Sequence, residues 1–105
     1  MAGMRVEFAR SGGFAGITLT ARVDSGTLPP DQTASLEKNI LDASFFNLPA
    51  EIKPPSPGPD RFEYRLTISS ANQTHTVIVS ESVIPEQLRP LLDQLTDLAR
   101  SGNYR

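Results

Sequence analysis

The 105-residue chain has no cysteine and no tryptophan, and its only histidine is His75. Without thiols there is no disulfide, no sulfur nucleophile and no Cys-ligated metal. One histidine falls short of an ordinary zinc ligand set, and no Asp or Glu cluster lies beside it in sequence. No charge of one sign dominates: 10 Lys and Arg stand against 12 Asp and Glu, a net charge of −2, with the signs interleaved. That lacks the basic footprint of nucleic-acid binding. No apolar run approaches the roughly 20 residues of a membrane span. The start, MAGMRVEFARSGG, meets charge at Arg5 and Glu7 before a signal-peptide core can form. No phosphate-cradling GxxxxGK[ST], no GxGxxG and no GxSxG elbow occurs. The expectation is a soluble, cytoplasmic monomer that is not an enzyme, needs no cofactor or metal, and has no nucleic-acid or membrane partner.

What is present is alternation. In residues 5–10, Val6 and Phe8 share one face while Arg5 and Glu7 share the other; in 17–23, Ile17, Leu19, Ala21 and Val23 point inward. The short link between these strands predicts an antiparallel hairpin. Pro29 and Pro30 suit the first turn of a helix, where their missing N–H groups are not needed, and Asp31 suits its positive end. Leu36, Ile40 and Ala43 follow at helical spacing, flanked by Leu41. Phe45, Phe46 and Leu48 then read as plugs for the core beneath the helix, a bland role that outweighs a binding hot spot for the phenylalanine pair. Residues 49–60 contain five prolines and read as a stiff surface connector. Beyond them, Phe62, Tyr64, Leu66 and Ile68 alternate with polar residues, and Val77 and Val79 mark a further strand. The final helix carries Leu88, Leu91, Leu95 and Leu98 on one stripe. Pro90 either starts its main part after a preliminary turn or kinks it, and Gly102 is its stop signal.

The order is strand, strand, helix, twice over. VDSGTLPPDQ at 23–32 and VSESVIPEQ at 79–87 lead from strand to helix with similar text. The expected fold class is therefore α+β: a duplicated ββα-ββα domain spanning 1–105, with halves at 5–48 and 61–101 joined by the 49–60 connector. Its four-stranded, mainly antiparallel sheet carries both helices on one face. The other face, with Arg5, Glu7, Thr18, Thr20, Arg22, Glu63, Arg65, Thr67, Thr74 and Thr76, is expected to be solvated.

Catalytic groups are sparse. His75 shares strand parity with Val77 and Val79 and fits a partly buried residue closing a sheet edge. Asp93 and Asp97, four apart on the last helix, fit a solvated face better than an acid/base pair. The segment left unabsorbed is the loop RSGGFAGI. Gly12 and Gly13 satisfy a hairpin turn; Gly16 is surplus to it. Phe14 has the opposite parity to Ile17, so it projects to the solvent face or rim unless a bulge at Gly16 reverses the parity and tucks it into the core. Both alternatives are open to the sequence. A narrow glycine loop also suits insertion into a partner's cleft, because preorganisation lowers the ordering cost of binding.

The runs RVEFARSGGFAGITLTARVDSGTLPP, FFNLP, DRFEYRLTI, HTVIVSE and PEQLRPLLDQL resemble the emfourin family over nearly the whole chain, from Met4 to about Arg100. The most specific parts are the RSGGFAG loop and the blocks RFEYRLTI and HTVIVSE. Emfourins are small bacterial proteins that inhibit thermolysin-like (M4) metallopeptidases, the type member acting on protealysin. The resemblance implies an inhibitor that protects its producer cell, with the zinc belonging to the partner. Ser11, Gly12, Gly13, Phe14, Ala15 and Gly16 are the expected partner-binding residues; both chain ends and residues 52–55 stand in reserve. The other classes are a non-inhibitory interaction module using the threonine-rich sheet face, and a small hydrolase using His75.

Overall fold

A computed structural model describes residues 4–12, 18–26, 28–54, 62–70 and 72–101. Alternating side chains build β1 (Arg5–Ser11), β2 (Leu19–Asp24), β4 (Glu63–Ser69) and β5 (Thr74–Ser80), with α1 (Pro30–Asp42) after β2 and α2 (Arg89–Ser101) after β5. A further strand, β3 (Glu51–Ile52), precedes β4. The sheet is five-stranded, in the order β2-β1-β4-β5-β3. Every pairing is antiparallel except β3 with β5, which is parallel.

The fifth strand corrects the expected four-stranded ββα-ββα layout: the second half begins with an added parallel edge strand and is no plain repeat of the first. Proline counting hid it. Glu51 and Ile52 lie between Pro49 and Pro54, which restrict the strand to two residues without preventing it. The Ile78 N–H reaches the Ala50 carbonyl at 2.8 Å, and Glu51 and Ile52 pair with Ile78 and Val79.

Strand parity holds as expected. Val6, Phe8, Ala21, Val23, Tyr64, Leu66, Ile68, Val77 and Val79 are buried on one sheet face and merge with Leu36, Ile40, Leu88, Leu91, Leu95 and Leu98 of the helical layer into a single core. Both helices therefore cover that face. The half-buried Asn39 amide of α1 donates to the Gln94 carbonyl oxygen of α2 at 2.7 Å, which spares both amides an unmet hydrogen bond where the helices meet. The opposite face is open, with Thr20, Arg22, Glu7 and Arg65 exposed on it.

The helix ends obey local rules. Pro29 caps α1 in an extended conformation and Pro30 begins it, while Asp31 sits in the first turn. No glycine stops α1. Instead Ser44 adopts a left-handed backbone, φ 50°, and its N–H donates to the Leu41 carbonyl at 3.0 Å. This reversal drops Phe45 into the core at 1% exposure, with Phe46 set edge-on to it at 5.5 Å between ring centres. Pro90 lies in the first turn of α2, after a 3-10 turn at Glu86–Leu88, as the preliminary-turn alternative requires.

Leu36 is fully buried, whereas Leu41, five residues on, is 77% exposed. Leu36→Ala should lower unfolding free energy by about 2–5 kcal/mol, and Leu41→Ala should change it by no more than about 0.5 kcal/mol. Urea unfolding of the two variants measures the contrast.

Candidate functional site

The strand register decides what meets at each end of the sheet. Ser11 pairs with Glu63 and Arg10 with Leu19; Glu63 also pairs with Ser80, and Ile52 with Val79. The last residues of β1, β3 and β5 and the first of β2 and β4 thus lie along one rim. The glycine hairpin leaves the sheet here, and so do the proline connector and the segment that leads to α2. The described part of this rim is the foot of the candidate loop.

Three contacts knit that foot together. Arg10 has the parity of Val6 and Phe8, so it emerges on the helix-covered side, and its guanidinium lies 4.5 Å over the Phe62 ring. The Phe62 carbonyl accepts the Glu81 N–H at 3.0 Å, extending the β4–β5 ladder by one step. Lys53 Nζ stands 3.6 Å from Glu63 Oε2, tying the end of β3 to the start of β4 across β5. The pair is about half exposed, and a bridge of that kind contributes little stability, so its effect is to align the strands. Phe62, read from parity as a core residue, is half-buried at the rim because Arg10 rather than a helix covers it.

Ser11 closes β1, and Gly12 follows with φ 121°, a conformation that side-chain-bearing residues rarely adopt. Glycine at this point is thus required by the turn itself. Gly13, Phe14, Ala15 and Gly16 lie outside the described residues, as do Ile17, the direction of Phe14 and the bulge considered at Gly16. Of the reserve segment, Ile52, Lys53 and Pro54 stand at the same rim, and residue 55 lies outside the described set. Met4, at the amino-terminal end, is at the opposite edge, roughly 20 Å away along β1. It is held there by reciprocal bonds with Ser25: Met4 N–H to Ser25 Oγ at 3.0 Å and Ser25 N–H to the Met4 carbonyl at 2.9 Å.

His75 is occupied structurally. Its Nε2–H donates to the Leu48 carbonyl at 2.8 Å, and its ring meets Phe45 edge-on at 5.5 Å. It thereby pins the segment between α1 and β3 to β5, a tie between residues 27 apart that spacing alone does not reveal. Asp93 and Asp97 are exposed on the outer side of α2. Among the described residues no three His, Asp or Glu side chains form a group suited to a metal ion.

An α+β domain that gathers glycine-rich and proline-rich connections at one sheet rim, with its histidine committed to packing, has the form of a protein-binding scaffold. The emfourin family model matches residues 8–96, from β1 through the glycine loop to the middle of α2, and the chain belongs to that family. The family is one of protease-inhibitor domains, and its partner class is a protease. Neither a curated protein nor a solved structure matches the chain.

At Gly12, a Cβ is expected to strain the turn. Gly12→Ala should cost about 1–3 kcal/mol by urea unfolding. Its amide chemical-shift changes should be confined to the rim, and an unchanged unfolding midpoint would show that the turn tolerates a side chain.

Proposed function

We propose that the chain inhibits a thermolysin-like (M4) zinc metallopeptidase by inserting residues 11–16 into the active-site cleft. The observation that carries this reading is the family match across the glycine loop. The convergence of the loop foot and the connector foot on one rim supports it, since a single docking movement brings both to a partner. Phe14 fills a hydrophobic specificity pocket. A loop carbonyl or Ser11 approaches the peptidase's metal or displaces its water. The glycines at 12, 13 and 16 allow backbone to lie close to the enzyme. All the metal chemistry belongs to the peptidase; the inhibitor's part is to occupy the cleft. The setting is the bacterial cytoplasm, where the inhibitor protects the cell from its own peptidase.

The test is titration of the purified protein against a panel of thermolysin-like peptidases. Stoichiometric loss of activity is expected with at least one, and full activity throughout contradicts the proposal. A folded Phe14→Ala variant should inhibit about 30-fold or more weakly, the usual scale of a lost aromatic anchor. Unchanged inhibition by that variant would remove Phe14 from the contact.

A further inference from the structure

The face of the sheet turned away from the helices is an open trough of about 730 Å³. Thr20, Ala9 and Arg65 line it in one row, by register, over three strands, and Ile78 of β5 continues the row beyond that lining. Small and aliphatic neighbours thus flank Arg65: Ala9 on one side contributes only a methyl group, and Ile78 is half-buried on the other.

Two charge pairs near Arg65 are closed within the chain. Arg22 Nε lies 3.6 Å from Glu7 Oε2, and Lys53 is paired with Glu63. Arg65 has no ion pair or hydrogen bond among the described residues. Glu51 stands in the same row beyond Ile78, two strand spacings from Arg65, a span that Lys53 and Glu63 do bridge, but no ion pair joins it to Arg65. In the adjacent row, Thr67 Oγ1 and Thr76 Oγ1 are 2.8 Å apart. Whichever hydroxyl donates, the other keeps its proton for an outside acceptor. The trough therefore presents an uncommitted guanidinium, a free hydroxyl donor and the Ala9 methyl group, with Ile78 beside its edge. Glu7, the carboxylate among its lining residues, is committed to Arg22.

We infer that this face docks an acidic peptide segment of a partner protein. An Asp or Glu side chain takes the planar Arg65 guanidinium, a hydroxyl of the threonine pair donates to the same carboxylate, and the aliphatic part of the segment covers Ala9 and Ile78. A free small anion is a poor occupant, because one exposed ion pair changes affinity by only about fivefold. The trough is of ligand-pocket size, in the range of roughly 300–1,000 Å³, so it has room for several residues rather than one ion. This surface lies on the sheet face and not at the loop rim, so the inference stands independently of inhibition by residues 11–16.

The test is an NMR titration of the isotope-labelled full chain with a capped hexapeptide in which glutamate alternates with valine. Its glutamine counterpart, sodium acetate and sodium phosphate serve as controls at matched ionic strength. The acidic peptide should produce saturable shifts at the amides of Ala9, Thr20, Arg65 and Thr76, and should bind about fivefold or more tightly than the glutamine peptide. Arg65→Gln should abolish that preference without altering the thermal unfolding midpoint. Glu7→Gln, which removes a repelling carboxylate and releases Arg22, should instead tighten binding about twofold. The inference fails if no saturation appears up to about 10 mM peptide, or if the glutamine peptide binds equally well. It fails equally if Arg65→Gln leaves the preference intact, or if acetate or phosphate alone reproduces the shifts at the same concentration.

Discussion

The antiparallel register of β1 against β4 is the constraint on which the rest of the molecule depends. Seven residue pairs, from Arg5 with Ser69 to Ser11 with Glu63, join strands more than fifty positions apart in the chain. Hairpins alone give two separate ribbons, β1 with β2 and β4 with β5, and an isolated two-stranded ribbon is marginal in water. Joined at the centre, the ribbons present one apolar face, and Phe8 and Tyr64 meet there with ring centres 6.0 Å apart. Only then is there a surface wide enough for two amphipathic helices to cover. The same register sets which loops share a rim, so the fold and the candidate site follow from a single pairing.

Each rim carries its own contacts. At the far rim, Met4 and Ser25 exchange hydrogen bonds, the Thr33 hydroxyl reaches the Ser25 carbonyl at 3.4 Å, and His75 holds Leu48. These contacts serve the entrance to α1 and the passage from α1 to β3. At the near rim the contacts among the described residues are those of the loop feet: Arg10 over Phe62, Phe62 to Glu81, Lys53 beside Glu63. A rigid sheet carrying connections at one braced rim is the arrangement in which loops most often carry recognition.

Strand faces and helix stripes were legible in the sequence because burial on one side imposes a period of two or of 3.6 residues. Val6 and Phe8, Leu66 and Ile68, and Leu91 and Leu95 all lie where that periodicity puts them. Features that depend on the backbone rather than on a side-chain period were not legible. Glu51 and Ile52 make a strand too short for any alternation, inside a proline-rich stretch. Ser44 ends α1 in a left-handed conformation that usually advertises itself through glycine. The tie from His75 to Leu48 uses a main-chain carbonyl, which carries no residue-type signal. At the candidate site, Ser11, read from the sequence as a loop residue, is the last residue of β1, and the positive φ of Gly12 accounts for one glycine of the three in RSGGFAG. The lid that Arg10 forms over Phe62 pairs side chains on different hairpins, so it became visible only with the β1–β4 register known.

The rim where the glycine hairpin and the proline connector leave the sheet is the proposed point of contact with a protease. Hydrogen–deuterium exchange on the complex with an inhibited peptidase tests this most directly. The account predicts slowed exchange at the amides of Gly12, Thr18, Lys53 and Phe62, with those of Arg5 and Thr74 at the far rim unchanged. Protection at Arg5 and Thr74 with none at Gly12 and Lys53 would contradict it.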